Sequence, residues 1–340
     1  RACNTITPGR PSLYNWTEEV FKMSADRKKV LVTGGSGLIG SAIQKLIDNV
    51  KMEDETWVFV SSEDADLRNA VETEALFAKH RPTHVIHLAA SHGGLYSHLK
   101  HGLQFLRDNV YMDDNVLQAC RKTGVRKLVS CLSNCIFPAK ATYPINERMI
   151  HNGPPSMCHT GFAYARRLLD IKSRMYHSKH NCQFVSVIPA NVFGPHGNFS
   201  PEGGHVIPSL IAKTHDAKAS GKPLEILGTG RALRQFIYSA DVARLIVWVL
   251  REYEEPDPII LSVDESDEIS ILELVQVITR IIGYQGNVVF DATKTDGQLK
   301  KTLSNDKMRR LLPTFQFTPF EEAVRETADW YERNRNTARS

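Results

Sequence analysis

The stretch that decides the fold is Lys29-Val30-Leu31-Val32-Thr33-Gly34-Gly35-Ser36-Gly37-Leu38-Ile39-Gly40. Apolar and β-branched residues run directly into a glycine cluster, and a segment suited to a helix continues to Val50. This order predicts a buried strand, a tight turn and then a helix.

The three glycines at the first, fourth and seventh positions of the turn predict a phosphate-binding site. Gly34 permits the tight turn, Gly37 lets the backbone approach a pyrophosphate, and Gly40 lets the helix pack closely on the strand. The helix start, which includes Leu38 and Ile39, offers free N–H groups and a positive dipole end to phosphates. We therefore expect a dinucleotide site, with a glycine-rich turn that binds no ligand as the alternative.

Strand and helix patterns alternate through the first 190 residues. Further strands are predicted at 57–61, 84–88, 127–132 and 184–188, and helices at 106–123 and 170–180. This alternation predicts a doubly wound parallel α/β sheet that binds ligands at the carboxyl ends of its strands. Beyond residue 190 the strands are shorter and more scattered. We predict a dinucleotide-binding domain over 28–190, to which later segments return, and a smaller, mainly substrate-binding C-terminal domain over 191–340.

Composition excludes several classes of protein. The chain has 340 residues, of which 42% are hydrophobic and 24% charged, as expected for a globular protein. A net charge of +4 without a long Lys/Arg block argues against nucleic-acid binding, and no apolar run approaches the length of a membrane span. The six cysteines form no CxxC pair and no zinc-binding spacing, so we expect no metal site and a reducing compartment.

The residues before the first strand, 1–27, are predicted to be an irregular extension. Residues 1–17 carry two arginines and no acidic side chain. A cleaved organellar presequence would leave such a segment, but so would a plain tail or an arbitrary starting point. We expect a cytoplasmic protein, with a mitochondrial location as the alternative.

The segment after the second strand is where a dinucleotide fold reads the adenosine ribose. Glu63 and Asp64 favour a ribose without a 2′-phosphate, whereas Arg68 nearby would offset their charge. These residues alone leave NAD and NADP open. After the third strand, the small residues Ala89 and Ala90 leave room for a cofactor that crosses the sheet edge.

Several motifs resemble those of a known family. Four segments resemble motifs of the extended short-chain dehydrogenases/reductases: Thr33 to Gly40, His87-Leu88-Ala89-Ala90, Asn109-Val110 and Asn191-Val192-Phe193-Gly194-Pro195-His196. Four further segments resemble a narrower group of these enzymes, the GDP-L-fucose synthase family. They are Ser130-Cys131-Leu132-Ser133-Asn134-Cys135-Ile136-Phe137-Pro138, His151-Asn152-Gly153-Pro154-Pro155, His205-Val206-Ile207-Pro208 and Arg234-Gln235-Phe236-Ile237-Tyr238. These enzymes epimerise and reduce GDP-4-keto-6-deoxy-D-mannose with NADPH.

The resemblance implies a cofactor, a substrate and their binding residues. The implied cofactor is NADP(H), with NAD(H) as the alternative, and its binding residues are Gly34, Gly37, Leu38, Ile39, Gly40, Asp66, Leu67, Ala89, Ala90, Asn109, Arg166 and His205. The implied substrate is a GDP-sugar, which Asn191, Lys213 and Arg234 would contact. The protein is expected to form a homodimer or to be a subunit of a larger assembly.

The resemblance also implies catalytic roles for three residues. Cys135 and His205 match the acid/base pair that epimerises C3 and C5, and Ser133 matches the serine that hydrogen-bonds the keto group. Inversion beside a ketone requires one group to remove a proton and another to return it on the opposite face. The structural alternatives are a small buried cysteine and a loop histidine.

The chain departs from the family at the Tyr-x-x-x-Lys pair of the reductases. Phe162 stands at the tyrosine position and Arg166 at the lysine position. Phenylalanine has no proton to donate, whereas arginine keeps the positive charge and would still reach ribose hydroxyls. Tyr164 is about 200° around the helix from Phe162, so it should point away.

Two functional interpretations follow. The first is a GDP-L-fucose synthase-like enzyme whose epimerase groups are retained and whose reductive step is impaired or lost. The second is an inactive homologue that serves as a structural subunit of a larger, possibly mitochondrial complex. The remaining charges, interpreted as exposed surface, are His92, Lys100, Arg333, Arg335 and Arg339.

Overall fold

The computed structural model describes residues 27–50, 54–201 and 203–339. Residues 1–26 of the predicted extension lie outside the described residues. The strands are β1 Lys28–Thr33, β2 Glu55–Val60, β3 His84–His87, β4 Lys127–Cys131, β5 Gln183–Pro189, β6 Asn191–Phe193, β7 Leu224–Leu227, β8 Leu233–Arg234, β9 Phe236–Tyr238, β10 Ile259–Leu261, β11 Ile269–Ser270 and β12 Val288–Asp291. The helices are α1 Leu38–Asn49, α2 Ala70–His80, α3 Leu95–Lys122, α4 Thr160–His180, α5 Val206–Ser220, α6 Ser239–Glu252, α7 Ile271–Ile282, α8 Asp306–Leu311 and α9 Phe320–Asn334.

The main sheet confirms the predicted doubly wound parallel architecture. Its six strands are all parallel and follow the order β10-β5-β4-β3-β1-β2. The chain leaves β1 for β2 on one side and then crosses to β3 on the other side. The carboxyl ends of β1 and β3 therefore border the crevice where an open α/β sheet binds ligands.

The second half of the chain contributes to both cores. Strand β10 pairs with β5 in the main sheet, and α6 packs against α1. A separate apolar core lies beneath three two-stranded sheets and combines side chains of α5, α7 and α9. The sequence from residue 191 onward thus builds the smaller unit and also supplies the last strand of the larger one.

Two helices are longer than the sequence pattern predicts. Helix α3 begins at Leu95 rather than near 106, with non-helical dihedrals at His101 (φ −117°, ψ 22°). Helix α4 begins at Thr160 rather than near 170. The added segment of α3 contains Ser, Gly and two His, which have low helix propensity, and it packs against α4. The added segment of α4 is rich in Ala, Arg and Leu and includes the helical stretch already considered around Phe162. No helix within the described ranges is long and apolar enough to cross a membrane.

Candidate active site

A cleft of about 870 Å³ opens at the carboxyl ends of the main-sheet strands and extends toward the smaller unit. Most of the residues predicted for cofactor, substrate or chemistry line it. They are Gly34, Gly37, Leu38, Ile39, Gly40, Asp66, Leu67, Ala89, Ala90, Ser133, Cys135, Phe162, Arg166, Asn191, His205 and Arg234. Two do not line it, Asn109 and Lys213.

The glycine turn forms a cradle that side chains would fill. Gly34 has a left-handed backbone (φ +71°), and a Cβ there would lie 2.8 Å from the Ala89 nitrogen. A Cβ on Gly40 would lie 2.5 Å from the carbonyl oxygens of both Gly34 and Gly35. No side chain caps the start of α1 at Gly37. The exposed N–H groups and the positive helix end therefore fit the diphosphate of a dinucleotide.

At the ribose end of the cleft, Asp66 and Arg68 form a two-point ion pair. The Arg68 Nε donates to Asp66 Oδ1 at 2.9 Å and its NH2 donates to Oδ2 at 2.8 Å, while Asp108 lies 3.6 Å from NH1. The Arg68 charge is thus shared with two carboxylates. Glu63 and Asp64, considered above for the ribose, do not line the cleft.

Arg166 lies in a buried polar network beneath the cleft floor and is 1% exposed. Its NH1 donates to Asp113 Oδ1 at 2.8 Å, and its NH2 donates to Asn109 Oδ1 at 3.0 Å and to the Ala89 carbonyl at 3.1 Å. Nε2 of His87 lies 3.0 Å from the same Asp113 oxygen. Both terminal nitrogens of Arg166 therefore have protein partners, and the residue also lines the cleft.

Asn109 supports the loop after β3 and does not contact the cleft itself. It is fully buried, donates to the Ser91 and Phe105 carbonyls at 2.8 and 2.6 Å, and accepts from the Ser91 N–H at 3.1 Å. Its Oδ1 also accepts from Arg166. Asn109 therefore fixes the backbone that follows Ala90. Any effect of Asn109 on a bound cofactor would be indirect, through the position of this loop.

Phe162 faces the cleft among four histidines. The ring centroids of His92 and His98 lie 6.1 and 5.5 Å from its own, His159 lies 4.8 Å from His98, and His205 lies 5.3 Å from His92. The Arg166 guanidinium carbon lies 5.1 Å from the Phe162 ring centroid. This part of the cleft wall is therefore an apolar ring with imidazoles around it.

Desolvation keeps these imidazoles neutral at pH 7. Removal from water lowers the pKa of His98 to about 4 and that of His159 to about 3, and the neighbouring imidazoles lower them further. Desolvation, followed by repulsion from His205, lowers the pKa of His92 to about 3. His92 and Arg339 are exposed, as the sequence interpretation expected, and both also line the cleft.

Tyr164 does not take the place of the missing tyrosine. It is 44% exposed, it does not line the cleft, and its ring lies 5.6 Å from the Arg167 guanidinium carbon. This placement agrees with the helical rotation that separates it from Phe162. Of these two aromatic side chains of α4, Phe162 lines the cleft and Tyr164 does not.

Ser133 and Cys135 lie directly after β4, in the turn that holds residues 134–136. The Cys135 N–H donates to Ser133 Oγ at 3.4 Å, and the Cys135 side chain is 6% exposed. Burial raises the pKa of the Cys135 thiol, while Lys301 and the Ser133 hydroxyl oppose that rise. His205 precedes α5, and desolvation followed by Arg339 lowers its pKa.

Asn191, Arg234 and residues near 300 form another part of the cleft wall. Asn191 Nδ2 donates to the Gln235 carbonyl at 2.8 Å, and Arg234 NH1 donates to the Leu233 carbonyl at 2.8 Å. Lys213 lies on α5 away from this wall. Sequence reasoning missed His98, Asp296, Gln298 and Lys301, which also line the cleft, because no local motif marks them.

No group of three metal-ligating side chains is found in the part of the chain that the structure describes. The cleft has the glycine turn in one part of its wall and Arg234 in another.

Comparison with known proteins agrees with this geometry. The model of the NAD dependent epimerase/dehydratase family matches residues 30–263. A GDP-L-fucose synthase from Dictyostelium discoideum is 49% identical over 316 residues, which cover 93% of this chain and 99% of that protein. A probable GDP-L-fucose synthase from Drosophila melanogaster is 49% identical over 319 residues, which cover 92% of this chain and 99% of that protein.

A solved structure shows the same fold over nearly the whole chain. It is a GDP-L-fucose synthetase from Naegleria fowleri bound to NADP, with 44% identity, a TM-score of 0.88 and coverage of 94% of this chain and 98% of that one. The chain therefore belongs to the NAD dependent epimerase/dehydratase family and, within it, to the family of the GDP-L-fucose synthases.

Proposed function

We propose that this protein binds NADP(H) and a GDP-4-keto-6-deoxy sugar, that it epimerises the sugar at C3 and C5, and that it reduces the ketone slowly or not at all. The observation that carries the proposal is the convergence of Ser133, Cys135, Asn191, His205 and Arg234 on one cleft that begins at the glycine turn. These five residues come from four separate segments of the chain.

The cofactor assignment rests on the glycine cradle and on the relatives. The first turn of α1 leaves no room for a Cβ at Gly40 and has no side-chain cap, which suits a pyrophosphate. The Naegleria fowleri protein, 44% identical, was crystallised with NADP. When bound, the cofactor supplies the hydride for ketone reduction. We assign the cofactor domain to 28–190 with its returning segments, and the substrate domain mainly to 191–340.

Epimerisation needs two groups that exchange protons with a carbon beside the ketone. Cys135 and His205 line the same cleft, and both are uncharged at pH 7 because burial raises the pKa of the thiol and lowers that of the imidazole. A neutral imidazole can accept a proton and a thiol can return one. Ser133, held beside Cys135, can donate a hydrogen bond to the keto oxygen as negative charge develops there.

Reduction lacks its proton donor. The Phe162 ring occupies the cleft wall where the family places its tyrosine hydroxyl, and Arg166 binds Asp113, Asn109 and the Ala89 carbonyl. Loss of a general acid costs roughly 10²–10⁴-fold in rate. We therefore expect hydride transfer to be slow, while proton exchange at C3 and C5 continues.

The test is incubation of the full chain with GDP-4-keto-6-deoxymannose in deuterated water, with and without NADPH. We expect deuterium at C3 and C5 by mass spectrometry and little oxidation of NADPH. Cys135→Ala should abolish the exchange. The double variant Phe162→Tyr/Arg166→Lys, with its fold checked by thermal unfolding, should gain NADPH oxidation. Rapid NADPH oxidation by the unmodified chain would contradict the proposal.

A structural-subunit role is the second candidate, favoured by the same Phe162 and by the commitment of Arg166 to a buried network. A bound dinucleotide would then stabilise the fold and take no part in turnover. Absence of deuterium exchange, together with stable co-purification in a larger complex, would favour this candidate. Exchange at C3 and C5 would reject it.

We propose a homodimer formed through the outer face of α3 and α4. These two helices pack on each other, and their outer face exposes large apolar side chains: Leu99, Leu103, Tyr111, Tyr164, Ile171 and Met175. A two-fold axis would place this face against itself and cover it. By light scattering, Leu103→Glu should convert dimer to monomer, whereas Leu272→Glu on α7 should not. A mass above two chains would indicate the larger assembly.

A further inference from the structure

Lys301 lies on a strap, residues 298–304, that joins the Cys135 side of the cleft to the Arg234 side. On one side, Ile145 exchanges hydrogen bonds of 2.8 Å with the strap: its N–H donates to the Thr302 carbonyl and its carbonyl accepts from Ser304. On the other side, the Leu233 N–H donates to the Leu299 carbonyl at 2.8 Å. The strap thus places Lys301 in the cleft wall between the two segments.

A second pair of contacts fixes the strap on both sides of Lys301. Gln298 Nε2 donates to the Ala139 carbonyl at 2.9 Å, and the Leu303 N–H donates to Gln235 Oε1 at 2.7 Å. Ala139 is four residues beyond Cys135 in the chain, and Gln235 follows Arg234. The backbone around Lys301 is therefore fixed at both ends relative to the thiol and the guanidinium.

Lys301 differs in its partners from Arg166 and Arg68, two other cations of the cleft. Arg166 pairs with Asp113 and Arg68 pairs with Asp66. Within the described residues, Lys301 makes no ion pair and no hydrogen bond through its ammonium group. Desolvation lowers its pKa to about 8, so the group is still mostly protonated at pH 7, and its first interacting charge is Cys135.

A thiol that exchanges protons in a desolvated cleft needs a cation. Cys135 must be a thiolate before it removes a proton from carbon, and it becomes a thiolate when it returns one. Burial alone opposes that anion, and Lys301 is the leading charge that opposes the effect of burial on Cys135. Arg166, the other nearby cation, is already paired with a carboxylate.

We propose that Lys301 is the positioning residue that stabilises the thiolate of Cys135 in the cleft. The inference rests on the proposed role of Cys135 in epimerisation. In the exchange, one proton moves between substrate carbon and the Cys135 sulfur, and another between His205 and the opposite face of the carbon. Lys301 keeps its protons throughout and neutralises the sulfur anion.

The test measures thiol reactivity without substrate. The full chain is treated with iodoacetamide between pH 6 and 10, and alkylation of the Cys135 peptide is followed by mass spectrometry. Lys301→Met should raise the pKa of Cys135 by about one unit, which slows its alkylation at pH 7.5 about tenfold. Lys301→Arg should restore the wild-type profile because it restores the positive charge.

Matched controls separate this effect from a change in fold. Lys300→Met removes a charge one residue away, from an exposed side chain over the Tyr143 ring, and should leave the profile unchanged. Cys158, which also lines the cleft, is the internal reference for access of the reagent. Lys301→Gln serves as a second neutral variant if Lys301→Met does not fold.

The outcomes are distinct from those of the proposed function. An unchanged Cys135 profile in both neutral variants, or an equal shift in Lys300→Met, overturns the inference about Lys301. The absence of deuterium exchange in the unmodified chain overturns the proposed epimerase instead, and it does not alter the alkylation result.

Discussion

NH1 of Arg166 on α4 donates a hydrogen bond of 2.8 Å to Oδ1 of Asp113 on α3, and both side chains are almost completely buried. The pair links the two helices directly beneath the cleft floor. Arg166 also donates to Asn109 and to the Ala89 carbonyl, so it ties both helices to the loop after β3. Removal of either charge would leave the other buried without its opposite charge, with only His87 beside Asp113 or with Asn109 and the Ala89 carbonyl beside Arg166.

Loss of this buried charge should destabilise the protein strongly. Arg166→Met leaves the buried Asp113 without its arginine and with His87 as its remaining partner, and we expect a loss of about 3–5 kcal/mol in the free energy of unfolding. Lys172→Met is the matched control, because Lys172 pairs with Asp114 on the same two helices but at the surface. That variant should lose less than about 1 kcal/mol. Urea unfolding measures both, and equal losses would contradict the prediction.

A methyl group at Gly40 should damage the nucleotide cradle. A Cβ there would lie 2.5 Å from two backbone oxygens, so Gly40→Ala must move α1 away from the turn. We expect at least tenfold weaker NADP(H) binding in fluorescence titration and a lower melting temperature. Gly102→Ala on α3 is the control, since a Cβ there meets nothing within 4 Å. It should be neutral or stabilise by up to about 1 kcal/mol.

The substrate diphosphate should depend on Arg234 and not on Lys213. Arg234 lines the cleft, whereas Lys213 lies outside it on α5. A charge-assisted hydrogen bond contributes about 1.5–3 kcal/mol, so Arg234→Met should weaken GDP-sugar binding about tenfold to a hundredfold. Lys213→Met should change it less than about twofold by calorimetry. A larger loss of GDP-sugar binding in Lys213→Met than in Arg234→Met would contradict this prediction.

The free energy of unfolding should fall as the pH drops from 6.5 to 4, in part because of His84. This histidine is 8% exposed, and desolvation, followed by repulsion from Lys28, lowers its pKa to about 4. Between these values the unfolded chain binds a proton that the folded chain does not, so acid favours unfolding. The contribution of His84 is at most roughly 3 kcal/mol.

The pH prediction is checked by unfolding in urea at several pH values. His84→Gln should show a shallower dependence of the unfolding free energy on pH between 4 and 6.5. His101→Gln, which replaces an exposed histidine, should follow the wild-type curve. A wild-type slope in His84→Gln would mean that other groups account for the acid sensitivity.

The local pattern of the sequence was sufficient for the main sheet and for the glycine turn. The run Val30 to Val32 is buried because both faces of a parallel strand are covered, and such a strand is apolar throughout. The backbone geometry of the turn requires glycines at fixed positions within seven consecutive residues. A pattern that short can be recognised in the sequence. The start of α3 was misplaced, because residues 95–105 mix strong and weak helix formers and this segment packs against α4.

The sequence by itself determined the parallel α/β class, the dinucleotide turn and the replacement of tyrosine by Phe162, because each depends on residues close together in the chain. Only the tertiary structure decided that Arg166 pairs with Asp113, that Asn109 supports a loop, that Lys213 lies away from the cleft and that Lys301 lies in its wall. Those relationships join residues tens to more than a hundred positions apart. They follow from how helices and straps pack, which no local spacing encodes.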